Sequence, residues 1–253
     1  RLYRKARDFH RAHLTLDSHC DTPMFFPEKI DIGRRDARLK VDMSKMEDGG
    51  LDAVCMVAYI PQGARDEAGL AAAEEKAGSI LSELQAQLVR WRGRVRQVRT
   101  PDDVVAAKRA GEKAVFMGIE NGYAIGRDIS RIRHYREMGV VYMTLCHNGD
   151  NDICDSAKGA GEHDGLSAFG REVVREMNRV GMMVDLAHAS EKSFYDVLAC
   201  SAVPVVSTHS SCRALCDHPR NLTDDQIRAL AARGGVVQIC LYEYFPCAQT
   251  VGV

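Results

Sequence analysis

The sequence predicts an α/β protein of the (β/α)₈ TIM-type barrel class, on three observations. Short apolar, β-branched runs recur at residues 14–16, 53–58, 114–119, 140–145, 182–186, 203–206 and 236–239. They are mostly apolar rather than alternating, as strands covered on both faces by helices should be. Helix-like stretches separate them, and no glycine-rich phosphate loop follows the first run, which favours a barrel over an open doubly wound sheet.

Each helical stretch carries its own signals. Residues 67–91 are rich in Ala, Leu and Glu, residues 101–110 follow a Thr at position 100, and residues 168–180 place apolar side chains at helical spacing. Gly111, Gly139, Gly181 and Gly234 each follow such a stretch, where a C-terminal cap favours glycine. Repeats, low-complexity tracts and linkers are absent from the pattern, so residues 1–253 read as one barrel-sized domain.

Composition narrows the function. A formal net charge of -1, from 34 basic and 35 acidic residues, argues against a nucleic-acid or anionic-membrane surface, which needs an excess of Lys and Arg. No run approaches the roughly 18 apolar residues of a membrane-spanning helix. The expected partner is a small molecule, and a homodimer is compatible with that reading. Several of the nine cysteines, Cys55, Cys146 and Cys240 among them, fall in apolar runs and read as reduced, which favours the cytoplasm. The chain starts at Arg1 rather than Met, so an upstream signal or anchor is compatible with the same sequence.

The functional signal is where polar residues meet the ends of the apolar runs. The first run leads into Asp17-Ser18-His19-Cys20-Asp21, and later ones into Glu120-Asn121-Gly122, His147-Asn148, His188 and His209-Ser210-Ser211. In barrel enzymes the C-terminal strand ends carry the active site. His19 and Asp21, at i and i+2, project from the same side of an extended segment. Glu120, His188 and His209 arrive from three other strand ends. A lone histidine or glutamate at such a place is usually a hydrogen-bonded structural group, but five at equivalent ends would be costly with nothing to coordinate. Glu120 is the natural bridge, giving His19, Asp21 and Glu120 on one ion and Glu120, His188 and His209 on another. Nitrogen and oxygen donors without thiolate suit two Zn²⁺ per chain, and Mn²⁺, Fe²⁺ or Co²⁺ fit the same ligands.

Other candidates are weaker. His10, His13, His134, His163 and His218 lie away from strand ends, where surface roles are expected. Asp150-Asn151-Asp152 lacks the glycine and glutamate of a calcium loop and reads as a loop following a strand. Cys212 and Cys216 lack the second pair that a zinc finger requires.

At these same residues the chain resembles the membrane dipeptidase (renal dipeptidase) family, peptidase family M19, a branch of the amidohydrolase superfamily. The segments carrying the resemblance are Leu16-Asp17-Ser18-His19-Cys20-Asp21-Thr22-Pro23, Gly118-Ile119-Glu120-Asn121-Gly122, Tyr142-Met143-Thr144-Leu145-Cys146-His147-Asn148, Asp185-Leu186-Ala187-His188, Ser207-Thr208-His209-Ser210-Ser211 and His218-Pro219-Arg220-Asn221. The resemblance implies a zinc-dependent dipeptidase in which a metal-bridging hydroxide attacks the peptide bond of a dipeptide. It also implies that His147 hydrogen-bonds the oxyanion and that Arg220 holds the substrate carboxylate.

The family pattern also includes an Asp-Phe-Asp-Gly segment on the eighth strand, which this sequence lacks. The eighth strand is therefore expected to be missing from these 253 residues, the barrel to be C-terminally incomplete, and the proton-moving aspartate to lie elsewhere. Two alternatives keep the metals: another binuclear amidohydrolase of the lactonase or deacetylase type, and a non-catalytic metal-binding homologue.

Overall fold

The computed structural model describes residues 2–242. In chain order its elements are α1 (Leu2–Ala12), β1 (Leu16–Cys20), α2 (Met43–Gly49), β2 (Ala53–Tyr59), α3 (Glu67–Arg90), β3 (Val95–Gln97), α4 (Pro101–Ala110), β4 (Lys113–Glu120), α5 (Ser130–Met138), β5 (Val140–Thr144), α6 (Ala168–Val180), β6 (Met183–Asp185), α7 (Glu191–Cys200), β7 (Val206–Ser210), α8 (Asp224–Ala232) and β8 (Val236–Ile239). Strand and helix alternate, and the strand pairs are parallel, which is the pattern of a (β/α)₈ TIM-type barrel.

The chain divides into two compact units: residues 1–59 with 77–118, and residues 60–76 with 119–253. In the first, β1 pairs with β2 in the register Leu16↔Ala53 and Asp17↔Val54, and β3 pairs with β4 through Val95↔Lys113. Asp52 ties the base of β1 in place: its Oδ2 accepts from the Thr15 N–H at 3.0 Å and from Lys108 Nζ at 2.7 Å. Residues Ala53–Ala58 of β2 are buried on both faces, as its unbroken apolar run requires. Helix α4 starts with a full capping box, in which Thr100 Oγ1 accepts from the Asp103 N–H and Asp103 accepts from the Thr100 N–H. Such a cap contributes about 1 kcal/mol.

In the second unit the strand order is β5-β6-β7-β8. Strand β5 is buried throughout, and Val173, Met177, Phe194 and Val197 of α6 and α7 are fully buried. Each such side chain contributes roughly 1.5–3 kcal/mol of apolar burial. Ser167, Ser190 and Thr223 cap α6, α7 and α8 through their side-chain oxygens, so each helix begins at a defined residue after its loop.

All seven apolar runs lead to strands, with two instructive offsets. The runs at residues 14–16 and 203–206 end where β1 and β7 begin, because the strands themselves are Leu-Asp-Ser-His-Cys and Val-Ser-Thr-His-Ser. Polar side chains there break the hydrophobic signal while the backbone continues in the sheet. Strand β3, only three residues long and containing Arg96 and Gln97, offers no run to read, so β8 is the seventh of the runs, and the further strand expected to be missing lies outside the described residues.

Among the described cysteines, Cys20, Cys55, Cys146, Cys154, Cys200, Cys212 and Cys240 form no disulfide, while Cys216 is disulfide-bonded. The expectation of mostly reduced cysteines therefore holds for seven of them and fails at Cys216. Among the described residues no helix is long and apolar enough to cross a membrane.

Candidate metal centre

Strand β4 ends at Glu120, and the backbone turns sharply there. Asn121 has φ +85°, in the left-handed region where a non-glycine residue is strained. The turn is held by the Asn121 side chain, whose Nδ2 donates to the Ile60 carbonyl at 3.0 Å while Oδ1 accepts from the Tyr123 N–H at 3.1 Å. Asn151 reinforces it, donating to Asn121 Oδ1 at 3.0 Å and to the Leu145 carbonyl at 2.8 Å. The Gly122 N–H donates to the same carbonyl, and a Cβ at this glycine would lie 2.9 Å from the carbonyl oxygen. A side chain is excluded, and Glu120 is locked in a buried position, the residue 3% exposed.

His188 follows β6 and is also strained, with φ +70°. Its carbonyl accepts from the Ala157 N–H at 2.7 Å and from Ser156 Oγ at 3.3 Å, and Ser156 Oγ also bonds the His147 carbonyl. With a single proton, the Ser156 hydroxyl serves these two carbonyls in turn, and it sits between the backbones that carry His147 and His188, whose ring centroids are 4.3 Å apart. Strained backbone held by several bonds is typical of functional sites.

His209 lies on β7 between Ser207 and Ser210, where the register with β8 slips. His19 has the same setting in its own unit, lying between Asp17 and Cys20 where the register of β1 with β2 slips. Bulges of this kind re-aim side chains. In that unit His19 Nε2 faces Asp21 Oδ1 at 3.4 Å, and this Asp21 oxygen is shielded from solvent with no hydrogen bond among the described residues. The expectation that the two side chains project to one side therefore agrees with their geometry.

In the second unit three donor atoms converge. His188 Nε2 lies 3.0 Å from Glu120 Oε1, His209 Nε2 lies 3.3 Å from it, and the two nitrogens are 2.9 Å apart. The corners of a triangle with these edges lie about 1.8 Å from its centre, within the roughly 2.0–2.1 Å of a zinc–nitrogen bond, so one ion can touch all three. The outer nitrogens set the tautomers. His188 Nδ1 faces Asn148 Oδ1 at 3.1 Å and His209 Nδ1 faces Thr208 Oγ1 at 2.9 Å. A proton on each Nδ1 leaves both Nε2 lone pairs aimed inward, the form a metal needs. Burial, and after it the Arg220 charge, pushes the His188 pKa well below the ordinary histidine value, against the opposing pull of Glu120. The imidazole is neutral near pH 7, as a ligand must be. The residues present fit a divalent ion bound by nitrogen and oxygen.

Arg220 is 2% exposed, and its Nη2 donates to the His209 carbonyl at 3.0 Å. Burial lowers its pKa, while Glu120 is the largest favourable charge facing it. His218, expected at the surface, is half-buried and its Nδ1 accepts the Arg220 N–H at 3.1 Å. His163 likewise bonds the Asn151 carbonyl at 2.7 Å. Asp150 anchors the loop that follows it, its oxygens accepting from the N–H groups of Ser156, Ala160, Gly161 and Glu162.

Sequence reasoning assigned no role to Asp185, Thr208 or Asn148, which sit directly behind the histidines. A carboxylate inside the run Met-Val-Asp-Leu was the one available signal, since a buried charge in a strand needs several partners.

The sequence model of the family described as "Membrane dipeptidase (Peptidase family M19)" matches residues 3–253. The chain belongs to this family. Among M19 relatives it is similar to dipeptidase verJ of Clonostachys rogersoniana, with 35% identity over 237 residues, 88% of this chain and 61% of that protein. Among solved structures it is similar to the probable dipeptidase PvdM from Pseudomonas aeruginosa, with TM-score 0.87 and 25% identity over 93% of this chain and 62% of that one. It is also similar to a metallo peptidase titled dipeptidase AC of family M19, with TM-score 0.81 and 25% identity over 89% of this chain and 72% of that one. The (β/α)₈ TIM-type fold class expected from the sequence agrees with these likenesses. The chain spans between 36% and 61% of the length of three curated relatives that it matches.

Proposed function

We propose that this M19 chain is a binuclear metallo-dipeptidase that hydrolyses dipeptides. The observation that carries the reading is the convergence of Glu120 Oε1, His188 Nε2 and His209 Nε2 around one ion-sized position. His19 and Asp21, the second donor pair, are assigned to a second ion that shares Glu120. Two Zn²⁺ are the preferred occupants, because the donor set is nitrogen and oxygen on a rigid scaffold, with Mn²⁺, Fe²⁺ and Co²⁺ as chemically acceptable substitutes. The names of the relatives and the family match support the peptide-bond assignment.

Bound there, the ions supply Lewis acidity that lowers the pKa of a water and balances charge developing on the peptide carbonyl oxygen. The chain's own residues do the rest. His147, tied to His188 through Ser156, is placed in this reading as hydrogen-bond donor to that oxygen. Arg220, pinned by the His209 carbonyl, is assigned to the C-terminal carboxylate of the substrate, where a planar guanidinium selects for length and charge.

Assaying zinc-loaded protein against Ala-Ala, a lactone and an N-acetyl amino acid tests the proposal. Turnover of the dipeptide above the other two is expected. Preference for the lactone or the N-acetyl compound would move the chain to another amidohydrolase reaction, and two bound ions with no turnover would overturn the enzymatic reading.

A further inference from the structure

Asp185 closes β6 and is completely buried. Four donors surround its carboxylate. Oδ1 accepts from the N–H groups of Ala187 at 3.1 Å and Thr208 at 2.9 Å, while Oδ2 accepts from the hydroxyls of Thr144 at 2.6 Å and Thr208 at 2.7 Å. A threonine hydroxyl has a single proton. Because the Thr208 proton is directed at Asp185, the Thr208 oxygen can only accept from its other neighbour, His209 Nδ1 at 2.9 Å.

We propose that Asp185 is a positioning residue which, through the Thr208 hydroxyl, holds the His209 proton on Nδ1 and so presents Nε2 as a lone pair toward Glu120. The inference rests on the metal-centre reading for its purpose, but the tautomer itself is a property of the protein without metal. Outer partners of ligand histidines set ring orientation and basicity in this way.

Two substitutions separate the relay from simple structural support. Thr144→Val and Thr208→Val each remove one hydroxyl donor from the same buried oxygen, but only the second breaks the link to His209. Asp185→Asn does something sharper. The N–H groups of Ala187 and Thr208 require an acceptor at the Oδ1 position, so the new amide NH₂ must occupy the Oδ2 position. It then donates to Thr208 Oγ1, which turns its proton toward His209 Nδ1 and forces the ring proton onto Nε2.

The experiment is nitrogen NMR of labelled histidine in metal-free protein, with Zn²⁺ affinity measured by chelator competition and folding by thermal melting. Wild type, Thr208→Ser and Thr144→Val should show His209 with its proton on Nδ1, and their zinc affinities should agree within about threefold. Thr208→Val should lose the tautomer preference and weaken one zinc equivalent by about 10–100-fold. Asp185→Asn should show the Nε2–H tautomer. An unchanged His209 tautomer in either Thr208→Val or Asp185→Asn overturns the relay, as does equal affinity loss in Thr144→Val and Thr208→Val. If Thr208→Val fails to fold, the tautomer of Asp185→Asn decides. A tautomer that responds as described in a wild-type protein that binds no zinc would uphold the relay and reject the metal reading.

Discussion

The Nε2 atoms of His188 and His209 face each other across 2.9 Å, with Glu120 Oε1 within 3.3 Å of both. With both ring protons on the outer nitrogens, two lone pairs and a carboxylate oxygen point at one place, and a cation there relieves their mutual repulsion.

Metal should therefore stabilise the fold. A ligand at a hundred times its Kd contributes about 2.7 kcal/mol, and for a chain of this size each kcal/mol is roughly 2–4 °C. Adding zinc to chelator-treated protein is expected to raise Tm by about 5–10 °C in differential scanning calorimetry. No rise at saturating zinc would contradict the ligand assignment.

The shared role assigned to Glu120 has a distinctive pattern. His188→Asn should weaken one zinc equivalent and His19→Asn the other, whereas Glu120→Gln should weaken both, by tenfold or more each as an order of magnitude. Metal content after equilibrium dialysis reads all three. One lost equivalent in Glu120→Gln, with the second intact, would rule out bridging.

Arg220→Lys keeps the charge but removes the planar fork. KM for Ala-Ala should rise about 10–100-fold, the equivalent of roughly 1.5–3 kcal/mol for a charged hydrogen bond. Hydrolysis of the amidated dipeptide should be slow in both proteins and differ little between them. A comparable KM increase for the amidated substrate would show that Arg220 acts on the fold rather than on the carboxylate.

The loop at Asp150 should be acid-sensitive. Burial raises this carboxyl's pKa, but the N–H groups of Ser156, Glu162, Gly161 and Ala160 outweigh it and leave the value below the ordinary one. A lowered folded pKa means the contribution is present above the unfolded value and is lost as pH falls through the folded one. Amide exchange at Ala160 and Gly161 should be protected near neutral pH and lose protection in that acid range, while Asp150→Asn should remove much of the protection already at pH 7. Equal protection in the two proteins at pH 7 would dismiss the carboxylate's role.

Much of this was legible without coordinates. The strands β2, β4, β5 and β8 coincide with their runs because little that is polar interrupts them, Gln238 of β8 apart, and α4 and α6 match residue for residue because their caps are written locally as Thr100, Ser167, Gly111 and Gly181. Strands β1 and β7 begin later than their runs suggest because polar residues, Asp17, His19, Thr208 and His209, occupy the strands themselves.

The sequence by itself determined the alternation of strands and helices, the family, and the placing of five polar candidate donors at the strand ends, because periodicity, caps and residue chemistry are local. Tertiary structure decided how Glu120, His188 and His209 converge, which nitrogen of His209 faces the carboxylate, and that Asp185 stands behind it. Those depend on left-handed turns at Asn121 and His188 and on hydrogen bonds between strands far apart in the chain. Local pattern carries no record of such partners, since a strained φ or a shared hydroxyl exists only once the surrounding packing imposes it.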